Sequence, residues 1–190
     1  MSSSTTAPMN ATKIAVCILM TAGLAARGFA QAPPPAPKPG PEHEVLKQDV
    51  GTWDATVEMA EPGKAPTVSK GVETVSLVGG LWSVSDFKSQ MMGQPFEGRG
   101  TTGYDPNKKK YVSSWIDSMS TGFTLGEATY DPKTKTMAGW MEGPDMSGKT
   151  VKMRETTEWK DADTKIFTMF MTGPDGKEVP TMKITYKRRK

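Results

Sequence analysis

One cysteine and one histidine serve the whole 190-residue chain, and their scarcity removes several kinds of chemistry at once. Cys17 lies in the leading apolar segment, so a domain that has shed that segment has no thiol, no disulfide and no cysteine-based metal site. Serine triads need a base and histidine-rich zinc sites need several ligands, which disfavours both when His43 is the sole imidazole. A haem site of the kind found in some small ten-stranded barrels needs a histidine on a late strand, and none is there. No metal and no cofactor are expected. An excess of one charge is lacking too. Lys13 and Arg27 supply two units of the formal +3, because residues 1–30 contain no acid, and the remainder stands at +1. Phosphate binding needs several uncompensated basic residues on one face, so nucleic acid is not an expected partner. The clusters Lys108 to Lys110 and Lys187 to Lys190 read as a solvated turn and a charged tail.

Long apolar runs are missing except at the start. Lys13 precedes the run Ile14 to Ala26, and Gly28-Phe29-Ala30 offers the small residues that signal peptidase reads. The run is short for a bilayer span, and a lipoprotein would need a cysteine at its end, whereas Cys17 sits near its beginning. Residues 1–30 are therefore expected to be a cleaved signal peptide, with translation from Met9 giving a more ordinary charged start. The mature protein is expected to be secreted or periplasmic and to keep no stable membrane anchor. Residues 31–41, QAPPPAPKPGP, form an extended proline-rich linker, and a single domain occupies residues 42–190.

What the domain does have is punctuation and period-two patterning. A short helix is expected from Glu42 to Val50, with acids in its first turn, and it stops at Gly51. Ten strands follow, at 51–60, 67–78, 80–91, 95–104, 110–118, 121–130, 135–142, 149–159, 165–172 and 179–188. Between them lie Glu61-Pro62-Gly63, Gly79-Gly80, Met92-Gly93, Asp145 to Gly148, Asp161 to Asp163 and Pro174-Asp175-Gly176. Tyr104-Asp105-Pro106 and its lysines return as Tyr130-Asp131-Pro132 with Lys133 and Lys135, and each copy leads into a tryptophan-bearing strand. Asp-Pro presets a reverse turn, so the repeat is an antiparallel meander. Trp53, Ala55, Val57 and Met59 alternate with Asp54, Thr56 and Glu58, and similar alternation recurs around Val151, Met153 and Trp159 and around Met182, Ile184 and Tyr186. Ten such strands joined by short turns are most economically a single all-β, up-and-down antiparallel barrel, because closure removes both exposed edges.

Gly51-Thr52-Trp53, just after the helix, resembles the Gly-x-Trp signature of lipocalins and the wider calycin group. In those barrels a basic residue near the end of the last strand often packs over the tryptophan, and Arg188 or Arg189 is placed to match it. From about Pro41 to Arg189 the chain also resembles the bacterial domain-of-unknown-function family 1579. The likeness rests on His43, Gly51-Thr52-Trp53, Phe96-Glu97-Gly98, Gly103-Tyr104-Asp105 and Trp115-Ile116-Asp117-Ser118-Met119. Relatives commonly carry an arginine after the glycine pair, where this chain has Leu81-Trp82. The resemblance implies a lipocalin-like fold and no particular activity.

Candidate contacts for a ligand follow from the barrel. Asp86, Glu97 and Asp117 lie on the third to fifth strands. Facing inward they would be buried carboxylates able to move protons; facing outward they are solvated strand residues. Parity alone leaves Asp117 open, since Tyr111 and Trp115 share its face while Val112 and Ile116 make the other face apolar as well. Tyr104, Trp115 and Trp140 belong to the repeated meander. Met137 and Met141 share a strand face, as do Met169 and Met171, and methionine suits either a forgiving core or a pocket for variable apolar ligands. Trp53 is assigned to barrel closure, and His43 is either a capping residue or a contact. Gly98, Gly100 and Gly103 either let the sheet coil or clear space for a ligand.

Three functions remain compatible with this pattern: a small apolar or amphipathic ligand held in the interior, an isomerase or hydrolase using interior carboxylates, or an interaction module with a filled core. The first is favoured, because the inward candidates mix Trp, Met and Phe with Ser and Thr.

Overall fold

A computed structural model describes residues 35–60, 65–145, 147–173 and 176–190. The expected signal peptide, the first part of the linker and the turn residues Glu61-Pro62-Gly63 and Pro174-Asp175 lie outside the described residues. A compact unit runs from Pro37 to Lys190. It opens with a 3-10 turn, Pro41–His43, and one turn of helix, α1, Glu44–Lys47. The expected helix to Val50 is thus shorter and tighter, because Gly51 turns away at φ +128° and the carbonyls before it are taken by side chains.

Ten strands follow: β1 Gly51–Met59, β2 Thr67–Val78, β3 Trp82–Met91, β4 Gln94–Asp105, β5 Lys110–Asp117, β6 Thr124–Asp131, β7 Thr136–Pro144, β8 Thr150–Asp161, β9 Thr164–Thr172 and β10 Glu178–Arg188. They close into an antiparallel barrel in which each strand pairs with its neighbours in the chain and β1 pairs with β10. The up-and-down barrel expected from the sequence is the fold observed. Its strand ends agree closely, apart from β6, which starts at Thr124 because Ser120 and Gly122 form a turn, Gly122 N donating to Ser120 Oγ at 3.2 Å.

The turns explain the meander repeat. Asp105 Oδ1 accepts from the amides of Asn107 and Lys108, and Asp131 Oδ1 from that of Lys133. The loops end alike, with Lys109 and Lys135 at φ 53° and 52°. At the β3–β4 hairpin, Met92 and Gly93 both have positive φ, as a tight two-residue turn requires, and glycine at the second position relieves the strain.

Inward side chains form two packed groups. Around the β1–β10 seam lie Trp53, Val57, Val75, Phe87, Phe96, Ile184 and Tyr186. Beneath the helix lie Val45, Leu46, Tyr111, Ala128 and Trp159. Trp53 has no exposed surface. Its Nε1 donates to the Asp49 carbonyl at 2.8 Å, and the Arg188 guanidinium lies 4.0 Å from its ring centroid. Arg188 Nη2 also donates to the Gln48 carbonyl at 2.7 Å, satisfying an acceptor at the helix end that has no partner within the helix. The basic residue expected over the Gly-x-Trp tryptophan is therefore Arg188, whereas Arg189 pairs with Asp54 on the outside.

Candidate functional site

The barrel is hollow. An internal cavity of about 600 Å³ runs from the helix end, where Leu46 and Asp49 form its floor, to the opposite end, where Met59, Ala60, Ser120 and Pro144 line it. An empty apolar void of that size would cost roughly 14 kcal/mol at about 24 cal/mol per Å³, as much as the whole stability of a typical domain. This volume is accordingly a place for water or a ligand rather than a packing defect. The wall is methionine-rich, with Met137, Met141, Met153, Met169, Met171 and Met182, interrupted by the hydroxyls of Ser83, Ser85, Ser113 and Thr157.

Strand parity decides which candidates reach this space. Odd-numbered residues of β5 point inward, so Trp115 and Asp117 line the cavity while Val112 and Ile116 face out. Asp117 Oδ2 accepts from Trp115 Nε1 at 3.0 Å and Oδ1 from the Met119 amide at 2.9 Å, which fixes the indole and the turn at the mouth. Met137 and Met141 also line the wall. Trp140 sits between them in sequence and so points the other way. It is 43% exposed on the outer face, with the Lys152 ammonium 5.1 Å from its ring. Asp86 and Glu97 also face outward, ion-paired across β3 and β4 with Arg99 at 2.6 Å and Lys88 at 3.7 Å. The three acids considered together for proton transfer are thus separated by the barrel wall. Trp82 lies outside as well, so the inward lining does not include every tryptophan.

Tyr104 and His43 lie beneath the helix rather than on the cavity wall. Their rings meet edge-on at 6.2 Å, Tyr104 packs on Tyr111 at 5.3 Å, and His43 Nδ1 accepts from the Gly40 amide at 3.0 Å. Tyr111 donates to the Glu42 carbonyl at 2.7 Å, and burial, with help from Glu42 and Tyr104, pushes its hydroxyl up to about 12. Gly98 and Gly100 do face inward, but a side chain at Gly98 would strike Trp115 and one at Gly100 would meet the Ser85 hydroxyl and crowd Trp115, so the space they clear is already occupied. Gly103 faces outward under Trp82.

Four charged residues of the interior, Asp49, Glu73, Lys165 and Glu155, were not singled out from the sequence. At the floor, Lys165 Nζ lies 2.9 Å from Glu73 Oε2 and 3.1 Å from Asp49 Oδ1, between the rings of Trp53 and Tyr186. Burial pulls the Lys165 ammonium down, but Asp49 and Glu73 together outweigh it and hold the group above the ordinary lysine range. Burial raises Glu73, more than Lys165 lowers it, and raises Tyr186 well above its ordinary value. Asp49 also accepts from Trp159 Nε1 at 3.1 Å, so the network locks the helix to β8 and β9.

Glu155 is different. It projects from β8 into the cavity between Gly139 of β7 and Met169 of β9, and no hydrogen bond or ion pair reaches its carboxylate from the described residues. Burial alone pushes it up to about 7 from 4.5. Because the native state holds this proton more tightly than the unfolded chain does, stability falls as pH rises from about 4.5 to 7 and then levels off. Glu155→Gln is therefore expected to stabilise the ligand-free barrel at pH 8 by on the order of 3 kcal/mol, with the difference vanishing by about pH 4. Urea unfolding at the two pH values measures it.

Among the described residues no group of three or more His, Cys, Asp or Glu side chains is arranged to hold a metal. The sequence profile of a family described as "Protein of unknown function (DUF1579)" matches residues 38–188. No curated protein matches the chain in sequence. Among solved structures, Rv2717c from M. tuberculosis superposes with a TM-score of 0.60 at 11% identity, covering 80% of this chain and 99% of that one. The S-type phycobiliprotein lyase CPES from Guillardia theta gives 0.55 at 12% identity, covering 78% and 93%. At such identities the likeness extends to the fold alone, a lipocalin-like barrel.

Proposed function

We propose that this chain, which belongs to the DUF1579 family, is a secreted barrel, periplasmic where the source has an outer membrane, that holds a small apolar or amphipathic molecule in its interior. The observation that carries this reading is the cavity of about 600 Å³, which falls in the range of small-molecule sites. Its lining supports the same conclusion, since flexible thioethers adapt to varied apolar shapes while a few hydroxyls orient one end. The lysine and small residues flanking Ile14 to Ala26 support export. The helix, the Asp49 network and Arg188 seal the floor, leaving the far end for entry.

A neutral apolar dye such as N-phenyl-1-naphthylamine is expected to brighten on mixing with the protein. Thr157→Trp, which puts an indole into the cavity from β8, is expected to abolish the signal while leaving the fold intact by circular dichroism. Native mass spectrometry of protein from its own host is expected to show a mass above that of the polypeptide. A bare mass together with a silent dye would remove the reading.

A further inference from the structure

We infer that the molecule held in the barrel is a lipophilic cation, an amine with an apolar body, whose N–H donates to the Glu155 carboxylate. This inference rests on the interior-binding reading above and adds the chemistry of the head group.

The first support is position. Glu155 stands on the cavity wall with Met137, Gly139 and Met141 beside it on β7 and Phe167, Met169 and Met171 beside it on β9, none of which ionises or offers an N–H or O–H side-chain donor. Gly139, directly opposite, has no side chain to cover the carboxylate. Nor could it carry one, since an added Cβ would collide with Glu127 and Ala128. A bare carboxylate in an apolar wall is costly unless something donates to it, and within the described residues nothing does.

The second support is the sign of the whole lining. Among the described residues the cavity is bordered by Asp49, Glu73, Asp117, Asp145 and Glu155 and by a single cation, Lys165. Lys165 is already held by Asp49 and Glu73 and has no charge to spare for an anionic ligand. Asp117 and Asp145 lie at the mouth, so a cation is attracted on the way in as well as at the end of its path. A fatty-acid carboxylate would meet the opposite field. Burial favours the protonated form of Glu155, so the carboxylate pairs with an ammonium only at a pH that keeps it ionised.

The test displaces the neutral dye with three ligands of one chain length, dodecylamine, dodecanol and dodecanoate, at pH 8.5 and pH 5. In the native protein at pH 8.5 the amine is expected to bind tighter than the alcohol by about tenfold or more, as a charge-assisted hydrogen bond supplies, and dodecanoate weakest. In Glu155→Gln the amine and alcohol are expected to converge while the alcohol keeps its affinity. In the native protein at pH 5, where Glu155 is protonated and the amine is still charged, the preference is expected to shrink. The other ionisable groups of the lining are Asp49, Glu73, Tyr111, Asp117, Asp145, Lys165 and Tyr186, and the glutamine variant separates Glu155 from all of them. Should the variant fail to fold, the pH comparison on the native protein decides alone. Equal binding of amine and alcohol at pH 8.5, or preference for dodecanoate, overturns the inference and leaves the interior-binding reading standing. Failure of the dye and all three ligands to bind overturns both.

Discussion

Trp53→Ala is expected to lower the stability of the barrel by about 3–5 kcal/mol, the range for removing a large aromatic from a packed core. The residue has no exposed surface, and the loss has three parts. The seam packing of Val57, Ile184 and Tyr186 loses its centre. The Asp49 carbonyl loses its Nε1 donor at 2.8 Å. The Arg188 guanidinium and the Lys165 ammonium lose the ring face between them, at 4.0 and 4.9 Å from its centroid. Trp140→Ala, on the outer face, is the matched control and is expected to cost under about 1 kcal/mol. Urea midpoints of the two variants side by side measure the contrast. Equal midpoints would mean that the seam does not depend on this indole.

Lys165→Met is expected to be as damaging, about 3–5 kcal/mol at neutral pH, by a different route. The side chain is 6% exposed and neutralises Asp49 and Glu73, so its removal strands two carboxylates below the helix. A double variant, Lys165→Met with Glu73→Gln, is expected to recover part of the loss, because only Asp49 is then left without its cation and no desolvated anion remains at Glu73. The pH dependence follows from the raised Lys165. A group held above its unfolded value contributes fully below that value, about 10.4, and the contribution disappears as pH rises through the folded one. The native protein is therefore expected to lose stability on the alkaline side and Lys165→Met to lack that loss. Thermal unfolding between pH 8 and 11 reads the difference. A parallel decline in both would assign the alkaline sensitivity elsewhere.

Much of this architecture is legible in the residues. Strand, turn, strand with period-two burial marks β1, β8 and β10, and the two Asp-Pro turns have the same local cause. A basic residue over Trp53 followed from the Gly-x-Trp resemblance, which left Arg188 and Arg189 open until the first and last strands were seen to pair Trp53 with Arg188. The interior was read less well, for physical reasons that differ by residue. On β5 both faces carry apolar side chains, so parity could not orient Asp117 until the outward Ile116 and Leu125 were located on the outside. Trp140 could have been excluded, because Met137 and Met141 fix the inward parity of β7 and it breaks that parity. Lys165 shares parity with Phe167 and Met169, yet a lysine reads as solvated unless its partner is known, and Asp49 is 116 residues away. Glu155 was within reach. Counting by twos from Met153 to Trp159 passes through it, and a charge on that face is either an error of register or a functional group.

The seam between β1 and β10 has a further consequence for synthesis. Every other strand pair joins neighbours along the chain, and those hairpins can zip up in order as the polypeptide emerges. Trp53 appears early, but its cover, Arg188, belongs to β10, the last strand of the barrel to be made. Until then the growing sheet carries two raw borders able to pair with another nascent molecule. The end of β10 acts as the clasp that turns an adhesive ribbon into an inert vessel.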